Sequence, residues 1–429
     1  MTLASMIRAL AGYVGARFLG AGLGLLTQLA LARTLPPADV AVVLLAMSAA
    51  AFFSLLMNGG ESQIAATHLP KLLALRENRA VAALHGFALR NLVFIWLGLA
   101  LALAAAFAAG LMDQHLVMAG VAGLVASPMS ALMRYNSMIA NSERRFPLSY
   151  VPDFIVRPLL FLLILAGLFA MGWVRLVPLL AVFAGCVWAV ALGQAVIMGR
   201  GGLLPRAWLQ ARRVFAARLR PRAFALLVVS LVAYSFADIV MLLAGFLLPP
   251  DEAAVAGVAV RLAAIAGFVL QASQLFVLPD FTEALAKKND AAVNTVLWRV
   301  NTLTVVVIFA ALIGSLLLGR FALSLFGAVY AEGATVLVLF LVAQSVRALG
   351  GMNQNLLSIQ GFQLQTMRSC LVALVVLACV SALACRHFGM AGLGYGAIAA
   401  ELAWLAGLAA QAQAFCGRRA DMLWLARNT

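Results

Sequence analysis

AAVAGVAVRLAAIAGFVL, residues 253–270, sets seventeen apolar or small residues around a single arginine, Arg261. With its flanks the run is long enough to cross a bilayer, which takes roughly 20 predominantly apolar residues as a helix. An ionised side chain near the middle of such a helix costs at least ~2.5–3.5 kcal/mol. The stretch therefore reads as a membrane span that keeps a charge for a reason.

The rest of the chain supports the span. Of 429 residues, 65% are hydrophobic and only 10% charged, with a mean hydropathy of +1.04. A soluble protein needs roughly 25% charged residues to wet its surface, so this composition excludes a soluble fold. Apolar windows recur near 12–33, 40–64, 86–110, 116–140, 150–172, 174–198, 223–248, 253–279, 298–318, 334–358, 367–385 and 391–416. The expectation is an all-α integral membrane protein with about twelve transmembrane helices. A stretch after Arg8 ending LALAR mimics a signal peptide. It is read instead as the first helix, which the internal repeat requires.

The net charge of +15 would suggest nucleic acid in a soluble protein. Here the cations alternate between loops. One set holds Lys71, Arg76, Arg79 and Arg90, then Arg134, Arg144 and Arg145, then seven arginines from Arg200 to Arg222. It continues with Lys287, Lys288 and Arg299, then Arg368, then Arg418, Arg419 and Arg427. The other set is short and cation-poor, around Asp39, Asp113, Arg175, Asp251 and Glu252, Arg320 and Glu332, and Arg386. The positive-inside rule assigns the first set and both termini to the cytoplasm. Nucleic acid is not an expected partner; membrane lipids are.

The domain plan follows from the same pattern: a six-helix lobe over 1–198, a basic linker over 199–222, a second six-helix lobe over 223–416, and a cytoplasmic tail over 417–429. In the linker, Trp208, Ala211, Phe215 and Leu219 form an apolar stripe at helical spacing among arginines. That is the pattern of an amphipathic helix on an anionic leaflet, the alternative being a merely solvated connection. The lobes echo each other. TLPPADVAVVLLAM (34–47) aligns with LLPPDEAAVAGVAV (247–260), and RNLVFIWLGLALALAA (90–105) with RVNTLTVVVIFAALIG (299–314). Six helices per lobe leave both in one orientation, hence a parallel repeat about an axis along the membrane normal, which places a transport site between the halves.

The chemistry-bearing residue types are sparse. Cys186, Cys370, Cys379, Cys385 and Cys416 form no CxxC, and His68, His85, His115 and His387 are scattered. No HExxH or GKS/GKT phosphate loop is present. No metal site, catalytic residue or cofactor is expected.

Six stretches stand in an order that resembles one family: LARTLPPADVA, FADIVMLLAGFL, LPDFTEAL, LFGAVYAEG, LLSIQGFQLQTMR and HFGMAGLGYGAIAAELAW. The chain resembles the Wzx-like polysaccharide-export flippases of the multidrug/oligosaccharidyl-lipid/polysaccharide (MOP) superfamily, over essentially its whole length. The resemblance implies a two-lobed, MATE-like secondary transporter of the bacterial inner membrane. It further implies alternating access that carries undecaprenyl-pyrophosphate-linked oligosaccharide from the cytoplasmic to the periplasmic leaflet. Partners implied are that lipid-linked glycan and the polysaccharide polymerase machinery, with transport driven by an ion gradient. One departure stands out. The family's first turn resembles L-G-P-x-x-Y-G, whereas here Leu35-Pro36-Pro37-Ala38-Asp39-Val40-Ala41 lacks both glycines, so the substrate is not to be copied from relatives.

Apart from cations towards the window ends (Arg33, Arg90, Arg134, Arg175, Arg299 and Arg368), eight charges fall inside the apolar windows: Arg17, Glu61, Asp153, Arg157, Asp238, Arg261, Arg347 and Glu401. Charges at such depth face a partner or a wet cavity. Asp153 and Arg157 are one helical turn apart and read as an i,i+4 ion pair. Arg17 and Arg261 have no acidic residue within one turn on their own helices. Guanidinium binds pyrophosphate by multidentate, charge-assisted hydrogen bonds that lysine cannot match. Arg17, Arg261 and Arg347 are therefore candidate substrate ligands; the resemblance implies arginines of the first and eighth helices lining a cationic cavity. Asp238, Glu401 and Glu61 are candidate ion carriers or counter-ions for those arginines. Gly20/Gly24 and Gly392/Gly396 have helix-packing spacing. A multidrug or cation antiporter would favour carboxylates and aromatics over arginines. A membrane polymerase or ligase would need a sizeable outer loop, and every outer loop here is short.

Overall fold

A computed structural model describes residues 3–60, 62, 69, 72, 75, 77–199 and 213–428. Among them every regular element is helical. Eleven helices are long and apolar enough to span a membrane, and a twelfth span is a bent pair. The chain is a multi-pass membrane protein.

Two compact units divide the chain, Met1–Leu242 and Leu243–Thr429. The first holds α1 (Leu3–Thr34), α2 (Pro37–Asn58), α3 (Asn78–Ala108), α4 (Gln114–Ser142), α5 (Phe146–Val151), α6 (Arg157–Ala170), α7 (Leu176–Ile197) and α8 (Arg213–Tyr234). The divide falls within α9 (Phe236–Leu247). The second unit continues with α10 (Pro250–Ala286), α11 (Asp290–Ser324), α12 (Ala334–Leu349), α13 (Asn353–Ile359), α14 (Gln363–Phe388), α15 (Ala391–Cys416) and α16 (Met422–Asn428). Most of the linker, residues 200–212, lies outside the described residues, and from Arg213 the chain is already helical.

The Pro-Pro echo between the halves is a structural echo. Pro36 and Pro249 precede α2 and α10 with φ/ψ of −58°/148° and −56°/151°. Pro37 and Pro250 then occupy the first helical position, where a missing N–H costs nothing. Pro36 and Pro249 each accept the first intrahelical bond, from Val40 at 3.1 Å and Ala253 at 2.9 Å. Asp39 in one helix, and Asp251 with Glu252 in the other, put negative charge on the positive helix end.

Small residues set the packing inside each unit. In the first, α2 is buried along an unbroken run from Val40 to Ala46. It meets α4 at Gly123, where an added Cβ would sit 2.5 Å from Ala49 Cβ. In the second, Gly392 and Gly396 of α15 press against Cys385 and Ser381 of α14, too close for any Cβ. This pair packs as its spacing indicates. The other glycine pair is split. Gly20 of α1 lies against the Phe154 carbonyl, while Gly24 faces nothing within 4 Å.

That carbonyl belongs to a feature not visible as a period. Pro152–Val156 is a π-helical turn joining α5 to α6, in which Arg157 N–H reaches the Pro152 carbonyl. Pro158 cannot donate and crowds the turn before it, which widens the helix locally. Asp153 and Arg157 close the expected ion pair across this turn at 2.9 Å.

Two windows are interrupted. The seventh bends by 76° between Tyr234 and Phe236, although no Pro or Gly stands there. The tenth stops at Leu349, turns through Gly350, Gly351 and Met352, and resumes as α13.

The loop-charge map makes a definite expectation for orientation. Reporter fusions after Asp113 and Asp251 are expected to read periplasmic, and one after Arg213 cytoplasmic. A reversal of any of the three would overturn the assignment of sides.

Candidate functional site

Arg17 and Arg261 are half-buried, one in each unit. Arg261 follows the fully buried run Ala253–Val260 and lies eleven residues beyond Pro250, about 17 Å along the helix at 1.5 Å per residue. That is about half the thickness of a hydrocarbon core of roughly 30 Å.

Arg17 sits five residues into the span Gly12–Thr34, among positions held open by small residues. Gly15, Gly22 and Gly24 have nothing within 4 Å of where a Cβ would lie. One turn away, Tyr13 packs edge-on against Tyr150 and Phe154, with ring centroids 6.1 and 5.7 Å apart. Gly12 leaves room for the Tyr150 hydroxyl. Tyr234, at the bend of the seventh span, lies in the electrostatic field of both Tyr13 and Arg17. Two phenols, Tyr13 and Tyr234, thus lie near Arg17. The sequence signal was an aromatic four residues before an arginine in an apolar span; the rest came from distant helices and had no local sign.

Arg347 and Glu401 are brought together from α12 and α15. Arg347 Nε donates to Glu401 Oε1 at 2.9 Å, and Nη2 donates to the same oxygen. The side chains are 13% and 3% exposed, so water screens the pair poorly. The Trp404 ring, one turn along α15 from Glu401, lies under the guanidinium with 4.7 Å from Cζ to the centroid. Glu401 Oε2 is buried with no hydrogen-bond donor.

Asp238 is half-buried in the first turn of α9, directly after the bend. A carboxylate there sits at the positive end of a half-helix. Glu61 lies outside the described residues. Among the described residues no three His, Cys, Asp or Glu side chains are grouped as metal ligands.

No family model matches the chain, and no curated protein matches it in sequence. Similarity appears in three dimensions. An inward-facing multidrug-resistance MATE transporter of the MOP superfamily shares the fold at TM-score 0.71 and 14% identity, over 95% of both chains. The lipid II flippase MurJ in an inward closed conformation matches at TM-score 0.67 and 13% identity, over 94% of this chain and 87% of its own. A MOP superfamily transporter from Pyrococcus furiosus, described as having a binding pocket of reversed polarity, matches at 0.58 and 14% over 93% and 94%. The architecture is therefore that of the MOP fold, and these structural neighbours are transporters and a flippase rather than enzymes.

Proposed function

We infer that this chain is a secondary transporter that moves a polyprenyl-pyrophosphate-linked oligosaccharide from the cytoplasmic to the periplasmic leaflet of a bacterial inner membrane. The observation that carries the reading is a half-buried guanidinium inside an apolar span of each unit, Arg17 and Arg261. A pyrophosphate offers two negative charges and many acceptor oxygens to such forks, while its polyprenyl tail stays in lipid. The phenols around Arg17 add flat, hydroxyl-bearing surfaces suited to the sugar next to the phosphates. Flipping needs no covalent chemistry, only a change of access around a bound headgroup.

Within this reading Glu401 serves as the counter-ion of Arg347, whose Nε and Nη2 both reach it, and the pair fastens α12 to α15. Asp238, directly after the bend of a broken span, is taken as the carboxylate that exchanges a coupling ion as access changes.

The test is complementation. Expressed in a bacterium lacking its own glycan flippase, the chain should restore surface glycan display. The same cells should gain no resistance to cationic drugs. Drug resistance without glycan display would favour the antiporter function of the MATE neighbours instead.

A further inference from the structure

The break after α12 is held by the chain's last residues. Gly351 has φ +55°, and a Cβ there would lie 2.5 Å from the Ala420 carbonyl and 2.9 Å from the Asn301 amide group. Only glycine fits both the backbone and the approach. The Met352 N–H and Asn301 Nδ2 donate to that Ala420 carbonyl at 3.0 and 3.3 Å. The Ala420 N–H donates back to Asn353 Oδ1 at 2.7 Å. On the other side, Gln274 Nε2 of α10 donates to the Gly351 carbonyl at 3.0 Å.

Asp421 locks the arrangement. Its side chain is fully buried, yet it accepts four hydrogen bonds. Arg419 Nε donates to Oδ2 at 2.7 Å and Nη2 to Oδ1 at 2.9 Å. Asn353 Nδ2 donates to Oδ2, and the Trp424 N–H to Oδ1, both at 2.9 Å. The last contact makes Asp421 the N-cap of α16. Arg418 adds a tether to α11, donating to Asp290 at 2.5 Å and to Asn294 at 3.0 Å. Residues 418–421 are thus tied to two helices and a turn.

The turn leads directly to the Arg347–Glu401 pair. The Gly350 N–H donates to the Arg347 carbonyl at 3.1 Å, so the end of α12, the turn and the tail form one hydrogen-bonded body. We propose that residues 417–428 are a clamp on the interrupted helix, and that Asp421 is a positioning residue which fixes, through Asn353 and the 350–352 turn, the end of α12 carrying Arg347. A buried carboxylate stripped of its donors is costly, so the clamp stays shut while access to the transporter changes, and the tail moves with the second unit. The functional half of this proposal rests on the reading of the chain as a transporter.

The experiment uses the full-length protein with a C-terminal epitope, in membrane vesicles oriented with that terminus outward. Every protein tested carries Arg427→Gln, so Arg418 and Arg419 are the tryptic sites nearest the epitope; trypsin cleaves after them only if the clamp opens, and cleavage releases the epitope. Wild type should keep it. Asp421→Asn, which leaves both arginines in place, should release it at least ten-fold faster. It should also lose at least ten-fold in glycan display per inserted molecule. Arg419→Lys, which keeps the charge and a cleavage site but loses the two-bond fork, should fall between them and covers the case in which Asp421→Asn is not inserted. Unchanged release overturns the clamp. Faster release with normal turnover per molecule, or a loss of display that only follows abundance, overturns the positioning role. Epitope release reads the clamp even if wild type displays no glycan, an outcome that would instead count against the proposed substrate.

Discussion

Arg261→Ala is expected to lose roughly ten- to hundred-fold in surface glycan display at unchanged membrane abundance. The size follows from what the side chain would do. Hydrogen bonds to charged groups are worth about 1.5–3 kcal/mol each, and every 1.4 kcal/mol is ten-fold. The net loss of one such bond from guanidinium to pyrophosphate therefore corresponds to roughly ten- to hundred-fold. Insertion should not suffer, because alanine continues a helix whose neighbours from Ala253 to Val260 are already small and buried, and removing a charge from mid-span is favourable on insertion scales. Lysine at 261 keeps the charge but presents a single point of it instead of a planar fork, so it should recover only part of the activity. Arg17→Ala should show the same pattern at its own depth. Full display by a well-expressed Arg261→Ala protein would show that this arginine does not hold the substrate.

The features legible in the sequence are those written in short periods. Span length, loop charge and the repeated Pro-Pro turn each need only a local window, and the matching geometry before Pro37 and Pro250 shows how little context that turn requires. The Asp153–Arg157 pair was readable for the same reason, being one turn long. What escaped is long-range or depends on a break. Nothing in AYSFAD marks a 76° bend, since neither Pro nor Gly is present. The π-helical turn hides inside an ordinary apolar window because it changes the hydrogen-bond register rather than the composition. Gly350-Gly351 lies inside the window 334–358, which reads as one continuous span. The reason Gly351 is needed, a carbonyl arriving from Ala420, lies about seventy residues away. At the site, Glu401 was legible as a candidate counter-ion, but which arginine it meets, Arg347 across 54 positions, depends on how α12 packs on α15.

Glu401→Gln is expected to destabilise the second unit by about 3–5 kcal/mol, the usual cost of leaving one member of a buried ion pair without its partner. Glutamine is nearly the same shape and keeps a carbonyl oxygen where Oε1 accepts both Arg347 bonds. The change therefore tests charge rather than packing, and it separates the two roles open to this residue. A carrier that binds its proton at the unpartnered Oε2 is neutral in part of its cycle, so the amide would mimic a state the protein normally visits. Stability would then hold while ion-driven transport failed. A permanent counter-ion has no neutral state to mimic, and the guanidinium over Trp404 would lose the negative charge of its Glu401 partner. Thermal unfolding of purified protein in detergent reads the difference, as a melting temperature lowered by roughly 10 °C in the counter-ion case. The double variant Arg347→Met with Glu401→Leu removes both charges and refills the space with apolar atoms, which for buried pairs is often neutral or stabilising. It should recover the melting temperature and, because the pair only fastens α12 to α15, most of the glycan display. A stable Glu401→Gln protein that no longer transports would overturn the counter-ion assignment and make Glu401 the coupling carboxylate.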